Sequence, residues 1–292
     1  MSGFKMKQAD QLVLKQRGGA VVFLESEEDF QIVAKRWFFD EGQEVFFQPA
    51  DTYEQGSGGG GCKAVIHLVA QARANGISAF GLVDRDVLLN DHNWPLWWQD
   101  RDPEFLSERP YGEHIRVLLR WELENYLLDP DAMATVANDA RMTSTHTAVS
   151  TTAFCLNCAD ELKDRSAATV TAIAANVPSP AVGFGCNPMR HGAALTDELQ
   201  RFLLKQGATN AAAALVEHRQ SIDRFDAPAA PALNRWERLV RMLDGKAALK
   251  YVSHRTGIRF DEKRAELARR MRENNAVPTE IRGHIEEFKI SA

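Results

Sequence analysis

The chain has 292 residues, of which 45% are hydrophobic and 26% charged, the balance of a globular protein with one large core or two modest ones rather than a disordered chain. Lys and Arg number 35 against 40 Asp and Glu, a formal charge of −5, which excludes a small binder that works through overall positive charge. The start of the sequence lacks an uninterrupted apolar segment of the secretory kind, and no stretch nears the roughly 20 apolar residues that cross a bilayer. Four cysteines are too few for a disulfide framework, so a cytoplasmic protein without a membrane partner is expected.

The first predicted element is residues 20–25 (AVVFLE), a short apolar and β-branched run behind two glycines, and therefore a buried strand. Phe30, Val33, Ala34 and Trp37 then follow at helical spacing. A second strand is expected around 44–48. A glycine-rich loop over 55–61 leads into a helix that starts near Cys62 and ends at Asn75-Gly76. Residues 77–83 (ISAFGLV) form a third strand that ends at Asp84. The order β-α-β-α-β predicts an α/β fold of the Rossmann-like kind, a parallel sheet flanked by helices. Its ligands would bind beyond the carboxyl ends of the strands.

Residues 90–111, with Trp94, Trp97, Trp98 and three prolines, read as a long loop or insertion. The tryptophans would serve as a base-stacking platform, a cap on the core or a partner surface. A strand at 114–119 (HIRVLL) precedes Glu122–Leu128 (ELENYLL). Asp129-Pro130 opens a mainly α-helical C-terminal region with proline-rich breaks at 178–188 and 226–231 and helices around 232–243, 246–255 and 261–274. Two domains are expected, 1–130 holding the sheet and 131–292 making substrate, oligomer or partner contacts. Residues 232–292 carry 14 Lys/Arg against 9 Asp/Glu, a balance of +5 that leaves −10 on the preceding 231.

The acids carry the sharpest signal. Glu25 ends the first strand and Asp84-Arg85-Asp86 ends the third, so both arrive at the carboxyl edge of one parallel sheet. Carboxylates gathered there repel one another unless cations are present. Mg²⁺ and Mn²⁺ accept such hard oxygen ligands and keep waters for a phosphate substrate. A divalent-cation site for phosphodiester chemistry follows from Glu25, Asp84 and Asp86. Asp29 has a second reading as a helix cap, and Glu124 as an acid favoured by a helix dipole.

The combination resembles a TOPRIM domain, the metal-binding fold of topoisomerases, bacterial primases and OLD-family nucleases. Leu24-Glu25-Ser26-Glu27-Glu28-Asp29 is similar to the first motif of OLD-like members, with Ser26 where that motif has glycine. ELENYLL resembles a motif of a narrower group that includes the AriB-type effector subunit of the PARIS antiphage system, and Gly245-Lys246 is similar to a late GK element of that group. The resemblance implies a Mg²⁺-dependent (or Mn²⁺-dependent) endonuclease, a toxic effector of antiphage defence restrained by an ABC-type ATPase partner, with RNA or DNA as substrate and host tRNA as one target. Glu25 would be a metal ligand or general acid/base. Asp84 and Asp86 would hold the ion, and Asp29 and Glu124 would complete a second metal position. Lys246 would stabilise the transition state. A homodimer is compatible with such a silenced nuclease.

The glycine-rich loop is no P-loop, because Cys62 precedes Lys63 and Ala64 follows it. Lys63, at the following helix start, is expected to contact substrate phosphate. Cys155, Cys158, Cys186 and His191 make a structural zinc set on paper, set aside because the first pair falls in a helical segment rather than a tight knuckle. Two competing functions remain, a non-catalytic TOPRIM subunit that docks on an ATPase and a nucleotide-sugar transferase that uses the DxD.

Overall fold

The structure, a computed structural model, describes residues 18–41, 44–53, 61–141 and 145–292. Four strands form, β1 (Ala20–Leu24), β2 (Val45–Pro49), β3 (Ala79–Val83) and β4 (Ile115–Val117). All pair in parallel, in the order β2-β1-β3-β4. The protein is therefore α/β, a four-stranded parallel sheet flanked by helices with a helical C-terminal region. β1 and β3 are buried along their whole length, as expected of central strands covered on both faces.

Two compact units interleave along the chain, the first Met1–Val87, Asp102–Leu119 and Arg272–Ala292, the second Leu88–Arg101 and Arg120–Met271.

In the first unit, Ser26 and Asp29 close a capping box on the helix Glu27–Ile32, which continues as a π-helical turn over Val33–Trp37. The helix Cys62–Ala74 packs on β3 at Gly81, where an added Cβ would lie 2.5 Å from Val65 Cγ1 and 2.8 Å from Ile115 Cδ1. Phe80, one residue earlier and thus facing the other way, stacks on Phe288 with ring centroids 4.5 Å apart. Phe288 belongs to a final helix, Thr279–Ile290, which the sequence reading missed. Its Ile281, Ile285 and Phe288 are buried at helical spacing, and Glu280 and Glu287 tie it to Leu119 N–H (2.6 Å) and to Arg116 (3.0 Å).

The expected long loop over 90–111 is instead broken into short helices. The helix Asp86–Asn90 ends at its start, and Trp94–Trp97 and Asp102–Ser107 lie within it, so half of it is helical. Asn93 accepts from Leu96 N–H, and Pro95 fits the first turn, so local capping accounts for the helix the sequence reading overlooked. Within the second unit, Trp97 is fully buried and meets Trp121 edge-on at 4.9 Å, while Trp94 and Trp98 each stack on His218 at 6.2 Å. These indoles are engaged inside their own unit, in line with the core-capping reading.

The rest of the second unit is helical. Asp129 caps Pro130–Ala140, and Trp236 Nε1–H donates to Leu128 O at 2.9 Å. Buried Lys163 lies between Asp223 (2.8 Å) and Asp226 (2.6 Å), and Arg235 holds the Asp226 carboxyl down to about 2. Among the described residues, no helix is long and apolar enough to cross a membrane.

Gly81 sets how closely a helix approaches the strand that carries Asp84 and Asp86. Gly81→Ala forces Val65 and Ile115 to move and is expected to cost about 1–3 kcal/mol. Thermal denaturation would register this as a lowered Tm, and an unchanged Tm would show that the helix–strand spacing is looser than described.

Candidate functional site

The chain runs from β1 to β2 on one side, whereas β3 and β4 lie on the other side of β1. The edge between β1 and β3 is thus the topological switch point, where open parallel sheets bind ligands. Their register pairs Phe23 with Gly81, and continuing it brings Glu25 beside the end of β3. Glu25 Oε1 accepts the Asp84 N–H at 2.8 Å. Asp84 is only 9% exposed. Arg85, between the two aspartates, is fully buried; it donates to Leu119 O at 2.8 Å and lies over the Phe105 ring at 4.2 Å. The DRD tripeptide so inserts a cation into the fold and keeps Asp84 and Asp86 at the strand end.

Glu25, Asp86 and Cys62 offer ligand atoms that all lie within 4.8 Å of one another, and this is the one such group of His, Cys, Asp and Glu among the described residues. The sequence reading placed Glu25 and Asp86 here and missed Cys62. The signal for it was its position directly after the glycine run, at the first residue of the helix Cys62–Ala74. Gly61 has φ +81° and ψ −147°, a region open essentially to glycine. A Cβ on it would also lie 3.0 Å from Glu25 Oε2. Burial first, and then the charges of Glu25 and Asp86, push the Cys62 thiol up to about 12, against an opposing Lys63 backbone N–H.

The donor set fits a divalent cation. Bonds of about 2.0–2.3 Å place two ligands across one ion at most about 4.6 Å apart, so the three atoms, within 4.8 Å of one another, would draw in slightly around an ion.

The other expected site residues stand elsewhere. Asp29 lies outside the group, and its Oδ2 accepts the Ser26 N–H at 3.0 Å to close the capping box. Lys63 is exposed in the first helical turn beside Cys62. Residues 54–60 of the glycine-rich loop are outside the described residues. Cys155 and Cys158 are buried at the junction of Ala148–Asn157 and Ala159–Ala174, where burial raises both thiols. They form no ligand group with Cys186 and His191 among the described residues.

Glu124 and Lys246 belong to the second unit and meet there. Lys246 Nζ lies 2.6 Å from Glu122 Oε2 and 3.6 Å from Glu124 Oε1, and Arg264 pairs with Glu124 at 2.7 Å. Burial, and then the Glu124 charge, raise the Glu122 carboxyl, while Lys246 pulls it back. Fully buried Asn125 holds the two motifs together. Its Nδ2 donates to Val240 O (2.6 Å) and Leu243 O (2.8 Å), and its Oδ1 accepts from Glu122 N–H (2.8 Å). Gly245 is the residue that leaves it room, since a Cβ there would lie 2.6 Å from Asn125 Oδ1. Asp244 caps the following helix, Gly245–Thr256. The Asp-Gly-Lys triplet thus supplies a cap, a gap for Asn125 and a partner for Glu122.

The basic tail is paired to a large extent. Lys250 meets Asp261 (2.7 Å), Arg270 meets Asp139 (2.5 Å), Arg272 meets Asp40 (2.6 Å), and Lys289 meets Glu41.

No family model matches this chain, and no curated protein or solved structure matches it.

Asn125→Asp changes no volume but turns a donor toward two carbonyls into a carboxylate oxygen. It is expected to destabilise the protein by about 3 kcal/mol or more, read as the shift of a urea midpoint. A shift under about 1 kcal/mol would show that Asn125 is not the lock between the two motifs.

Proposed function

We propose that this chain is a divalent-cation-dependent nuclease of the TOPRIM type, close to the OLD-like effectors of antiphage defence, and that it hydrolyses phosphodiester bonds of RNA or DNA. The observation that supports this most is the convergence of Glu25 and Asp86, beside Asp84, at the switch point between β1 and β3. A DxD transferase would use Asp84 and Asp86 without any need for Glu25 at the adjacent strand end.

In this reading Glu25 and Asp86 would hold Mg²⁺ or Mn²⁺, while Asp84, expected from the sequence as a further ligand, stands outside that group and meets Glu25 through its backbone N–H. The ion supplies Lewis-acid polarisation of the scissile phosphate and a lowered pKa for the attacking water. Glu25 orients that water and accepts its proton at a carboxylate oxygen, its rotamer fixed by the Asp84 N–H. Lys63, in the first turn of its helix, meets the non-reacting phosphate oxygens with the help of the helix N-terminus. Buried Arg85 takes no part in the reaction and sets the aspartates in place through Leu119 and Phe105.

Within the second unit, Glu124 and Lys246 sit in a charge cluster with Glu122 and Arg264, and an ammonium there has the point charge that suits a phosphate. The similarity of ELENYLL and of the GK element to the AriB-type group supports an ABC-type ATPase as the restraining partner and host tRNA as a target. Both motifs belong to one hydrogen-bonded assembly around Asn125.

The test is cleavage of tRNA, single-stranded RNA and duplex DNA by purified protein, with Mg²⁺, Mn²⁺ or chelator present. Cleavage should require the ion and fall by roughly 10²-fold or more in Glu25→Gln, with unchanged circular dichroism. Equal cleavage by wild type and variant would remove the site assignment.

A further inference from the structure

We infer that Cys62 is a third ligand of the same cation, so that the site binds Mn²⁺, Co²⁺ or Zn²⁺ in preference to Mg²⁺; this rests on the proposed role of Glu25 and Asp86 as ligands.

The group at the switch point is mixed, two carboxylates and one thiol within a 4.8 Å spread. The position of the sulfur is set by the backbone. Cys62 opens a 13-residue helix, and its neighbour Gly61 is fixed in a conformation that other residues rarely adopt. Gly61 also lies directly against Glu25, where even a Cβ would come within 3.0 Å of Oε2. Gly61, which precedes the sulfur-bearing residue, thus lies close to the carboxylate, and Cys62 is only 8% exposed.

Cys155 gives the internal contrast. It is fully buried and belongs to no group of ligand atoms among the described residues. That is the surrounding of a structural cysteine. The Cys62 sulfur instead lies within 4.8 Å of carboxylate oxygens of Glu25 and Asp86, the company of a cation ligand.

The consequence is selectivity. Mg²⁺ takes oxygen ligands in a strict octahedron, whereas a thiolate favours softer ions along the series from Mn²⁺ to Zn²⁺. On binding, the S–H bond breaks, a metal–sulfur bond forms and the proton leaves to buffer. No electron is transferred.

The experiment titrates full-length, metal-free protein with Co²⁺ without oxygen and follows the thiolate-to-cobalt charge-transfer band in the near ultraviolet. Calorimetry with Mn²⁺, Zn²⁺ and Mg²⁺ runs in parallel on wild type, Cys62→Ser and Glu25→Gln. The expected result is a band that saturates in the wild type and is absent in Cys62→Ser. That variant should still bind Mg²⁺ within a few-fold of wild type but lose on the order of tenfold or more in Co²⁺ and Zn²⁺ affinity. If Co²⁺ binds in a Glu25-dependent way with no band and no effect of Cys62→Ser, the sulfur ligand is wrong and the carboxylate site stands. A band that survives Cys62→Ser overturns the inference as well, since it reports another cysteine. If no divalent ion binds the wild type, both the sulfur ligand and the metal-dependent nuclease fall.

Discussion

Two parallel strands side by side bring three carboxylates to one edge of a sheet, and their mutual repulsion is the constraint around which the first unit is arranged. β1 and β3 are both hydrophobic to the last residue, so their first polar residues, Glu25 and Asp84, emerge at the same level. Neighbouring features ease the repulsion or tolerate it. The Asp84 N–H donates to Glu25. Arg85 is drawn inward onto Phe105 and Leu119 and leaves a buried positive charge behind the aspartates. Gly61 allows the following helix to start against Glu25, and Gly81 lets that helix lie close to β3. What the protein itself does not supply is a mobile positive charge of two units at the strand ends, and a cation would supply it.

Much of this was legible in the sequence because it depends on short-range rules. Apolar runs of about five residues alternating with helical periodicity imply a parallel sheet, and in such a sheet an acid directly after a strand can only stand at its carboxyl edge. Asp29 was ambiguous at that level, since an acid three residues past a serine serves a ligand site or a capping box equally well. The structure places it in the box. Cys62 is not legible in this way, since the P-loop pattern that it breaks says nothing about a ligand. Its meaning comes from Glu25, 37 positions earlier, and only the fold brings the two together. The last helix escaped notice because its buried residues pack on β3 and β4, far away in sequence.

The second unit shows how a motif can look like chemistry and be packing as well. ELENYLL and the Asp-Gly-Lys triplet are separated by more than a hundred residues, yet their spacing is fixed by one buried amide with three hydrogen bonds and by a glycine that leaves space for it. A buried donor turned away from its carbonyls costs more than most surface contacts contribute, so such a lock constrains the sequence whatever the function. Lys246 and Glu124 project from this locked assembly, together with Glu122 and Arg264. The basic tail, which by composition looked suited to a polyanion, neutralises much of its charge within the protein.

The most direct measurement is anomalous scattering from crystals soaked in Mn²⁺. A cation centre at the switch point requires a peak within bonding distance of Glu25 and Asp86, lost in crystals of Glu25→Gln. Well-ordered carboxylates at saturating Mn²⁺ with no peak between β1 and β3, or a peak only elsewhere, would contradict it.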